Sequence, residues 1–396
     1  SSPVLAPRVF SFFALSSCLV IAGCCAGATA TPAESTLPTT IVTPLGAEDL
    51  CELLERADAE LARENFTEAE ALYARAFEHD VTGEFRLRSL LGLGTARDLA
   101  ANSTGALEAY ERYVGFAPAG LARRRVEVRV VRLLVYLERY DVAEKRARLV
   151  EVTDLGPLER VALLAARALG SLENDDETTA ERDISAARGI LDPLGIDFVE
   201  RIPLDVAALA FAEGELARRR AGRIRFDPLP PDFADVLEAR CRLLLDAQGR
   251  YSEAMRAKNV HYSAMAGVRV GELYRELHHD LLTMPPPAAA TTPERRQLVE
   301  GALRLRYAVL LDKATAMMES TLGMLARSEA AAIDPDRDWS ARARASLEAI
   351  ERARRDEERA LAALPYTRAQ LEQALRDLEV KKASEAAEIT VPPEKH

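Results

Sequence analysis

A spacing of 37 residues between small side chains constrains this sequence more than any other feature. Ala69, in the segment NFTEAEALYARAFEHD, is followed at that interval by Ala106, Ala143 and Ala180. Two helices of a hairpin pack closely only where a small residue removes bulk at their crossing point. The recurrence therefore predicts a repeated helical hairpin rather than one isolated amphipathic helix.

Further side chains, most of them apolar, recur with each alanine at helical spacing. Positions four and seven residues after the alanines hold Tyr73 and Ala76, Tyr110 and Tyr113, Ala147 and Val150, and Ile184 and Ala187. Residues three or four apart lie on one face of an α-helix. We therefore expect most of these units to present the same apolar ridge to a neighbouring helix.

These units resemble the tetratricopeptide repeat (TPR), a helix-turn-helix unit of about 34 residues. The second unit matches the family pattern best. It has Gly94 in the first helix, Ala106 and Tyr110 in the second helix, and Pro118 where the unit should end. The first and third units carry Ala57 and Val131 where the family often has Gly.

The resemblance covers residues 48–192, which form four TPR-like units with loops about three residues longer than those of the family. It implies an α-solenoid in which each hairpin packs on the next. The residues expected to pack at the helix crossings are Ala69, Tyr73, Gly94, Ala106, Tyr110, Ala143 and Ala180.

The pattern changes after the fourth unit. Residues 193–365 indicate an Ala-rich helix, an irregular connection with three prolines at 226–233, and longer helices, one of them running continuously over 252–284. Tyr251 and Ala254 look like another hairpin entry, which predicts a degenerate repeat near 238–262. Residues 366–396 are expected to form a short helix and a disordered tail. The predicted fold is all-α, a TPR-like solenoid that continues into a long-helix C-terminal bundle.

The N-terminal segment indicates export. Residues 9–23 form an apolar run that is too short for a transmembrane helix and is typical of a signal peptide. Its end, Ile21-Ala22-Gly23-Cys24, resembles the lipobox of bacterial lipoproteins, which implies cleavage before Cys24 and a lipid on its sulfur. An ordinary signal peptide is the alternative. Residues 24–47 are rich in Thr, Pro and Ala and are expected to be an extended tether.

Catalytic motifs are absent from the sequence. It has no Gly-rich phosphate loop, no GxSxG, no HExxH and no CxxC. Cys25, Cys51 and Cys241 form no disulfide framework. We therefore predict no enzyme, no metal site and no cofactor. An alternative is an enzyme or metal-binding protein that uses the stripe Glu272, Glu276, His279 and Asp280, although a two-metal helical bundle needs its Glu-x-x-His motif twice.

Charge restricts the partners. The net charge of −11 argues against a nucleic-acid-binding protein. Two basic clusters, at residues 123–125 and 218–225, could contact anionic lipid or an acidic partner, but solvated faces are the simpler interpretation. A mixture of polar and aromatic residues around His261, Tyr262 and Arg269 predicts either a buried hydrogen-bond network or a partner groove.

The resemblance implies a membrane-anchored scaffold or assembly factor of the bacterial cell envelope. In architecture the chain is similar to repeat lipoproteins that assist outer-membrane barrel assembly or pilot secretins. We expect other envelope proteins or peptide segments as partners, a lipid anchor in the outer membrane, and a body facing the periplasm. In such solenoids the first helices line the inner surface, so Arg97 and Arg132 are the candidate partner-binding residues. A purely structural spacer is the remaining alternative.

Overall fold

The computed structural model describes residues 45–195, 200–287, 290–328 and 338–376. Within these ranges the regular structure is helical, and no strand occurs. The α-helices are α1 (Ala47–Ala62), α2 (Phe66–His79), α3 (Arg86–Leu99), α4 (Ser103–Phe116), α5 (Leu121–Tyr136), α6 (Tyr140–Leu149), α7 (Pro157–Glu173), α8 (Glu177–Leu191), α9 (Leu204–Arg223), α10 (Phe233–Met255), α11 (Val260–Leu282), α12 (Pro293–Arg327) and α13 (Trp339–Ala362). A 3₁₀ turn, Asp192–Leu194, follows α8, and residues 368–376 are also helical.

The predicted all-α, TPR-like solenoid is confirmed. Helices α1 to α8 form four consecutive hairpins, and the second helix of each hairpin packs on the first helix of the next. The predicted signal peptide, the lipobox and most of the tether lie outside the described residues, as does the chain after residue 376. Within the described ranges, no helix combines the length and the apolar character that a bilayer crossing requires.

The turn inside each of the four hairpins has the same backbone conformation. Glu64, Ala101, Glu138 and Asp175 all adopt positive φ, at the same 37-residue interval as the alanines. The next residue in each turn donates its N–H to a carbonyl five residues earlier, as Asn102 does to Arg97 at 2.8 Å. This is the hydrogen bond of a Schellman motif, here formed without glycine. The hairpins therefore share their turn geometry as well as their helix spacing.

The four alanines that recur at an interval of 37 residues are buried in the packed helices. Ala69, Ala106, Ala143 and Ala180 are fully buried. In the second hairpin, Gly94 of α3 faces the buried ring of Tyr110 of α4, and a Cβ atom added to this glycine would overlap that ring. Small residues therefore allow the helices of a hairpin to approach closely.

Helices α9 and α10 form a fifth hairpin with the same contact. Gly214 of α9 faces the buried ring of Tyr251 of α10, and a Cβ atom on Gly214 would lie 2.7 Å from it. Ala247 and Ala254, four residues before and three after Tyr251, are fully buried. These three residues of α10 thus occupy the places that Ala69, Tyr73 and Ala76 occupy in α2.

The predicted register of this fifth unit is wrong. Tyr251 and Ala254 lie near the end of its second helix instead of at the hairpin entry. The reason is length, because α9 and α10 have 20 and 23 residues, whereas α3 and α4 have 14 each. The helix predicted over 252–284 is also interrupted. Helix α10 ends at Met255, and α11 begins after Asn259, whose side chain accepts the N–H of Tyr262 at 3.1 Å.

The last three long helices pack together and also contact the repeats. Helix α12 packs on α11, and α13 packs on both. The indole of Trp339, at the start of α13, donates to Nδ1 of His261 at 3.0 Å, and the imidazole of His261 stacks on Tyr136 of α5 with ring centroids 3.9 Å apart. One buried apolar cluster extends from Leu90 to Ile350, so the second to fifth hairpins and the C-terminal helices share a core.

The crossing at Gly94 can be tested by adding one methyl group. We expect Gly94→Ala to lower the free energy of unfolding by about 1–3 kcal/mol, because the methyl group overlaps a fully buried ring. Gly115→Ala in the same hairpin is the control, since a Cβ there meets nothing within 4 Å. Replacing that helical glycine should leave stability unchanged or raise it by up to about 1 kcal/mol. Urea titrations measure both, and equal midpoints would contradict the proposed crossing.

Candidate functional site

The array of first helices contains a cavity of about 780 Å³. We call it the inner cavity. It lies between α5 and α9, with the end of α3, the start of α4, one residue of α7 and the start of α11 completing its wall. Its lining combines charged, aromatic and apolar side chains. This volume falls within the range of about 300–1,000 Å³ that is typical of ligand sites.

An ion pair joins two first helices at this cavity. Arg132 of α5 donates from Nε and Nη2 to the two carboxylate oxygens of Asp205 of α9, at 2.7 and 2.6 Å. Asp205 is buried, and burial raises the pKa of its carboxyl, although the charge of Arg132 opposes this shift. The guanidinium therefore compensates a carboxylate that water reaches poorly, and it ties the third hairpin to the fifth.

Two other arginines of the inner cavity have only neutral acceptors. Arg129 of α5 donates from Nη1 to the hydroxyl groups of Thr95 and Tyr110, at 3.1 and 3.0 Å. Arg201, just before α9, donates from Nε to the carbonyl oxygen of Ala257 at 3.1 Å. Among the described residues, neither guanidinium forms an ion pair with a carboxylate. The cavity therefore holds two cations whose charges are not directly paired.

Aromatic rings form another part of the wall. Tyr136 and Tyr262 both line the inner cavity and pack edge to face, with ring centroids 6.3 Å apart. Tyr136 also carries the stacked imidazole of His261, which is bonded to Trp339. Packing of this kind holds the rings in place. The C-terminal helices thus help to shape a cavity that the repeats begin.

Two leucines expose apolar surface at this cavity. Leu99, at the end of α3, is 57% exposed, and Leu204, at the start of α9, is 47% exposed. Single exposed leucines are common on protein surfaces. Here both border one cavity that also holds arginine and tyrosine, a combination that is enriched in protein interfaces.

The two predicted partner-binding arginines occupy different environments. Arg132 lines the inner cavity, but its charge is paired with Asp205. Arg97 is half-buried away from it and donates to Glu70 at 2.8 Å and to the carbonyl oxygen of Gly105 at 3.1 Å. The structure therefore does not bring them into one site. Sequence reasoning did not select Arg129, Arg201 or Asp205, because no local motif marks them and Asp205 lies 73 residues from its partner.

The basic clusters are largely ion-paired within the chain. Arg124 lies 2.7 Å from Glu151, and Arg219 lies 2.6 Å from Asp175. The other pairs are Arg123 with Glu127, Arg125 with Glu159, Arg218 with Glu215, Arg220 with Glu181, and Arg223 with Glu177. The pairs of Arg123 and Arg218 lie within one helix, whereas the other five join a helix to a different helix or to a turn, so these arginines contribute to the packing of the array.

The carboxylates of the predicted Glu/His stripe on α11 also form ion pairs with arginines. Glu272 lies 2.8 Å from Arg269, Glu276 lies 3.8 Å from Arg218, and Asp280 pairs with Arg240. His279 is exposed. Among the described residues, no three His, Cys, Asp or Glu side chains are placed to hold a metal ion.

A buried carboxylate network lies beside that stripe. Glu215 of α9 accepts hydrogen bonds from the hydroxyl of Tyr251 at 2.8 Å, from Arg269 at 2.9 Å and from Arg218 at 3.0 Å. Burial opposes ionisation of Glu215, but the charges of Arg269 and Arg218 outweigh it and hold the pKa of its carboxyl below the ordinary value. The network joins α9, α10 and α11, as expected of an arrangement that sets helix register.

Comparisons with known proteins add little. No family model matches the chain, and no curated protein matches it. Among solved structures, the chain is similar to a tetratricopeptide repeat protein from Parabacteroides merdae, with 14% identity over 77% of this chain and 99% of that one, and a TM-score of 0.39. The repeat architecture is therefore shown by the hairpins of this chain and not by this similarity.

The pair at the inner cavity has a measurable consequence. Arg132→Ala removes both donors from Asp205, so we expect the free energy of unfolding to fall by about 1–3 kcal/mol. Arg242→Ala, which breaks an exposed pair with Glu238 one helical turn away, is the control and should change it by less than about 0.5 kcal/mol. Equal urea midpoints for the two variants would show that the buried pair contributes no more to stability than the exposed pair.

Proposed function

We propose that this chain is a lipid-anchored scaffold of the bacterial cell envelope that binds a segment of another protein in the inner cavity. TPR-like hairpin arrays in general present extended surfaces to protein partners. The observation that carries the proposal is the composition of the cavity, where Arg129, Arg201, Tyr136 and the exposed Leu99 and Leu204 meet.

The energetics of recognition favour this surface. Tyr and Arg provide much of the binding energy at protein interfaces when they lie in partly enclosed pockets. The inner cavity offers such side chains already held in place, since Tyr136 is stacked on His261 and Arg129 is bonded to Thr95 and Tyr110. Binding would therefore cost the conformational entropy of the segment, but little additional entropy for these cavity side chains.

The envelope location is supported by the N-terminal sequence. Ile21-Ala22-Gly23 precede Cys24 at the end of an apolar run, and a Thr/Pro/Ala-rich stretch separates this cysteine from α1. In this proposal the mature chain begins at a lipidated Cys24. The repeat body is then held near the outer membrane through this stretch, facing the periplasm.

Site-specific photo-crosslinking in the native cells tests the binding surface. A photoreactive phenylalanine analogue at Leu99 or at Leu204 should yield the same protein adduct. The matched control is Leu149 of α6, which is 82% exposed but lies on a second helix. We expect no such adduct from position 149, because the proposed contact is on the side of the first helices.

Two outcomes would count against the proposal. Adducts from position 149 alone would move the binding surface to the second helices. Absence of any adduct at all three positions, or the same mixture of abundant proteins at each of them, would favour a structural spacer without a dedicated binding surface.

The anchor is tested separately by Cys24→Ala. Without the thiol no lipid can be attached, so the variant should leave the membrane fraction or accumulate as an unprocessed precursor. Membrane fractionation and the mass of the mature chain measure this. A variant that fractionates with membranes as before, with an unchanged mass apart from the substitution, would show that Cys24 carries no lipid.

A further inference from the structure

We infer that the segment bound in the inner cavity is acidic and apolar, with a side-chain carboxylate held by Arg201 and Arg129 and an adjacent apolar side chain against Leu99 and Leu204. This inference rests on the proposed function and adds the chemistry of the partner. It depends on the balance of charge in the cavity and on which donors the cavity leaves available.

The charged side chains of the inner cavity do not cancel. Arg132 and Asp205 neutralise each other through two hydrogen bonds. Two positive charges then remain in the lining, those of Arg129 and Arg201, against one negative charge, that of Asp98 at the end of α3. A half-enclosed site with an unbalanced cation favours an anionic ligand, because the surrounding protein screens the charge less than bulk water does.

Helix ends bring partial charges of both signs to the cavity. The starts of α4, α9 and α11 all reach the cavity, through Ser103, Leu204 and Asn259. The N-terminus of a helix carries a partial positive charge from unsatisfied N–H groups. Asn259 accepts one N–H of α11, whereas the start of α9 follows Pro203 and has no side-chain cap. The C-terminal ends of α3 and α5 also line the cavity and carry the opposite partial charge, so the arginines decide which sign of ligand charge the cavity favours.

The arginines retain donors for a carboxylate. A guanidinium has five N–H donors in a planar fork that suits two carboxylate oxygens. Arg201 uses only Nε, for the carbonyl oxygen of Ala257, and Arg129 uses only Nη1, for Thr95 and Tyr110. Within the described ranges their remaining nitrogens have no acceptor. The existing bonds orient each fork while leaving other N–H groups for a ligand.

The apolar residues distinguish a peptide from a simple anion. Leu99 and Leu204 expose hydrocarbon at the same cavity, and burying such side chains is favourable. A free phosphate or a nucleic-acid backbone has nothing to place against them. The net charge of −11 on the chain further disfavours a polyanion at long range. An acidic residue next to an apolar one satisfies both parts of the surface.

Peptide display tests the chemistry of the bound segment by selection from random sequences. The full chain, purified in detergent, is panned against random 12-residue peptides whose carboxyl ends are fused to the phage, so that only side-chain carboxylates can be selected. We expect the enriched peptides to share Asp or Glu beside a Leu, Ile, Met or Phe. Fluorescence anisotropy then measures one selected peptide and its Gln-substituted counterpart, whose affinity should be about 10-fold weaker.

Variants of the chain locate the effect. Arg201→Gln should weaken binding of the selected peptide by about 10-fold, since Arg201 is exposed and makes a single hydrogen bond. Asp98→Asn should tighten binding, because it removes the opposing charge. Arg225→Gln is the matched control, as Arg225 is exposed and lies outside the cavity. Unchanged melting temperatures would establish that each variant is folded.

The outcomes separate this inference from the function on which it rests. Enriched peptides without an acidic residue, or binding that Arg201→Gln and Asp98→Asn leave unchanged, would overturn the acidic chemistry while a protein-binding cavity stands. Binding of the chain to vesicles of phosphatidylglycerol that Arg201→Gln weakens, with no peptide enriched, would overturn it in favour of a lipid headgroup. If no peptide is enriched and Arg201→Gln leaves vesicle binding unchanged, the inference fails, and the crosslinks at positions 99 and 204 decide whether the proposed function fails as well.

Discussion

The close approach of two helices at a residue with little or no side chain is the constraint on which the remaining packing depends. Gly94 against Tyr110 and Gly214 against Tyr251 show it directly, because a Cβ at either glycine would collide with a buried ring. The glycine and the tyrosine act as a pair, since the ring fills the space that the missing side chain leaves. Interiors packed at this density tolerate few voids, so the spacing of the two helices is set at this point.

The hairpin turns give successive hairpins a similar geometry. Glu64, Ala101, Glu138 and Asp175 accept a left-handed backbone that costs about 1–3 kcal/mol for a residue with a side chain. The hydrogen bond that follows each turn offsets part of this cost, and the tertiary packing of the hairpin offsets the rest. Because the four turns are alike, each second helix leaves its partner at a similar angle and can meet the next hairpin in a similar way.

The inner cavity forms where this regularity ends. Helices α9 and α10 are longer than the helices of the second hairpin, and α9 reaches past α7 to pair Asp205 with Arg132 of α5. Small residues, Ala162 and Ala208, line part of the floor and leave volume that larger side chains would fill. Helices α11 and α13 complete the wall through Tyr262, and through Trp339 on His261. The candidate site is therefore a product of the junction between the repeats and the long helices.

The sequence by itself determined the helical class and the repeating unit. It could do so because the residues that decide them, such as Gly94, Ala106 and Tyr110, act within one hairpin and recur at a fixed interval. Only the tertiary structure decided the register of the fifth hairpin, because longer helices place Tyr251 37 residues after Gly214, whereas Tyr110 follows Gly94 by 16. It also decided which charges are paired. Arg132 and Asp205 are separated by 73 residues, and a contact at that distance depends on how the hairpins stack, which no local pattern of side chains records.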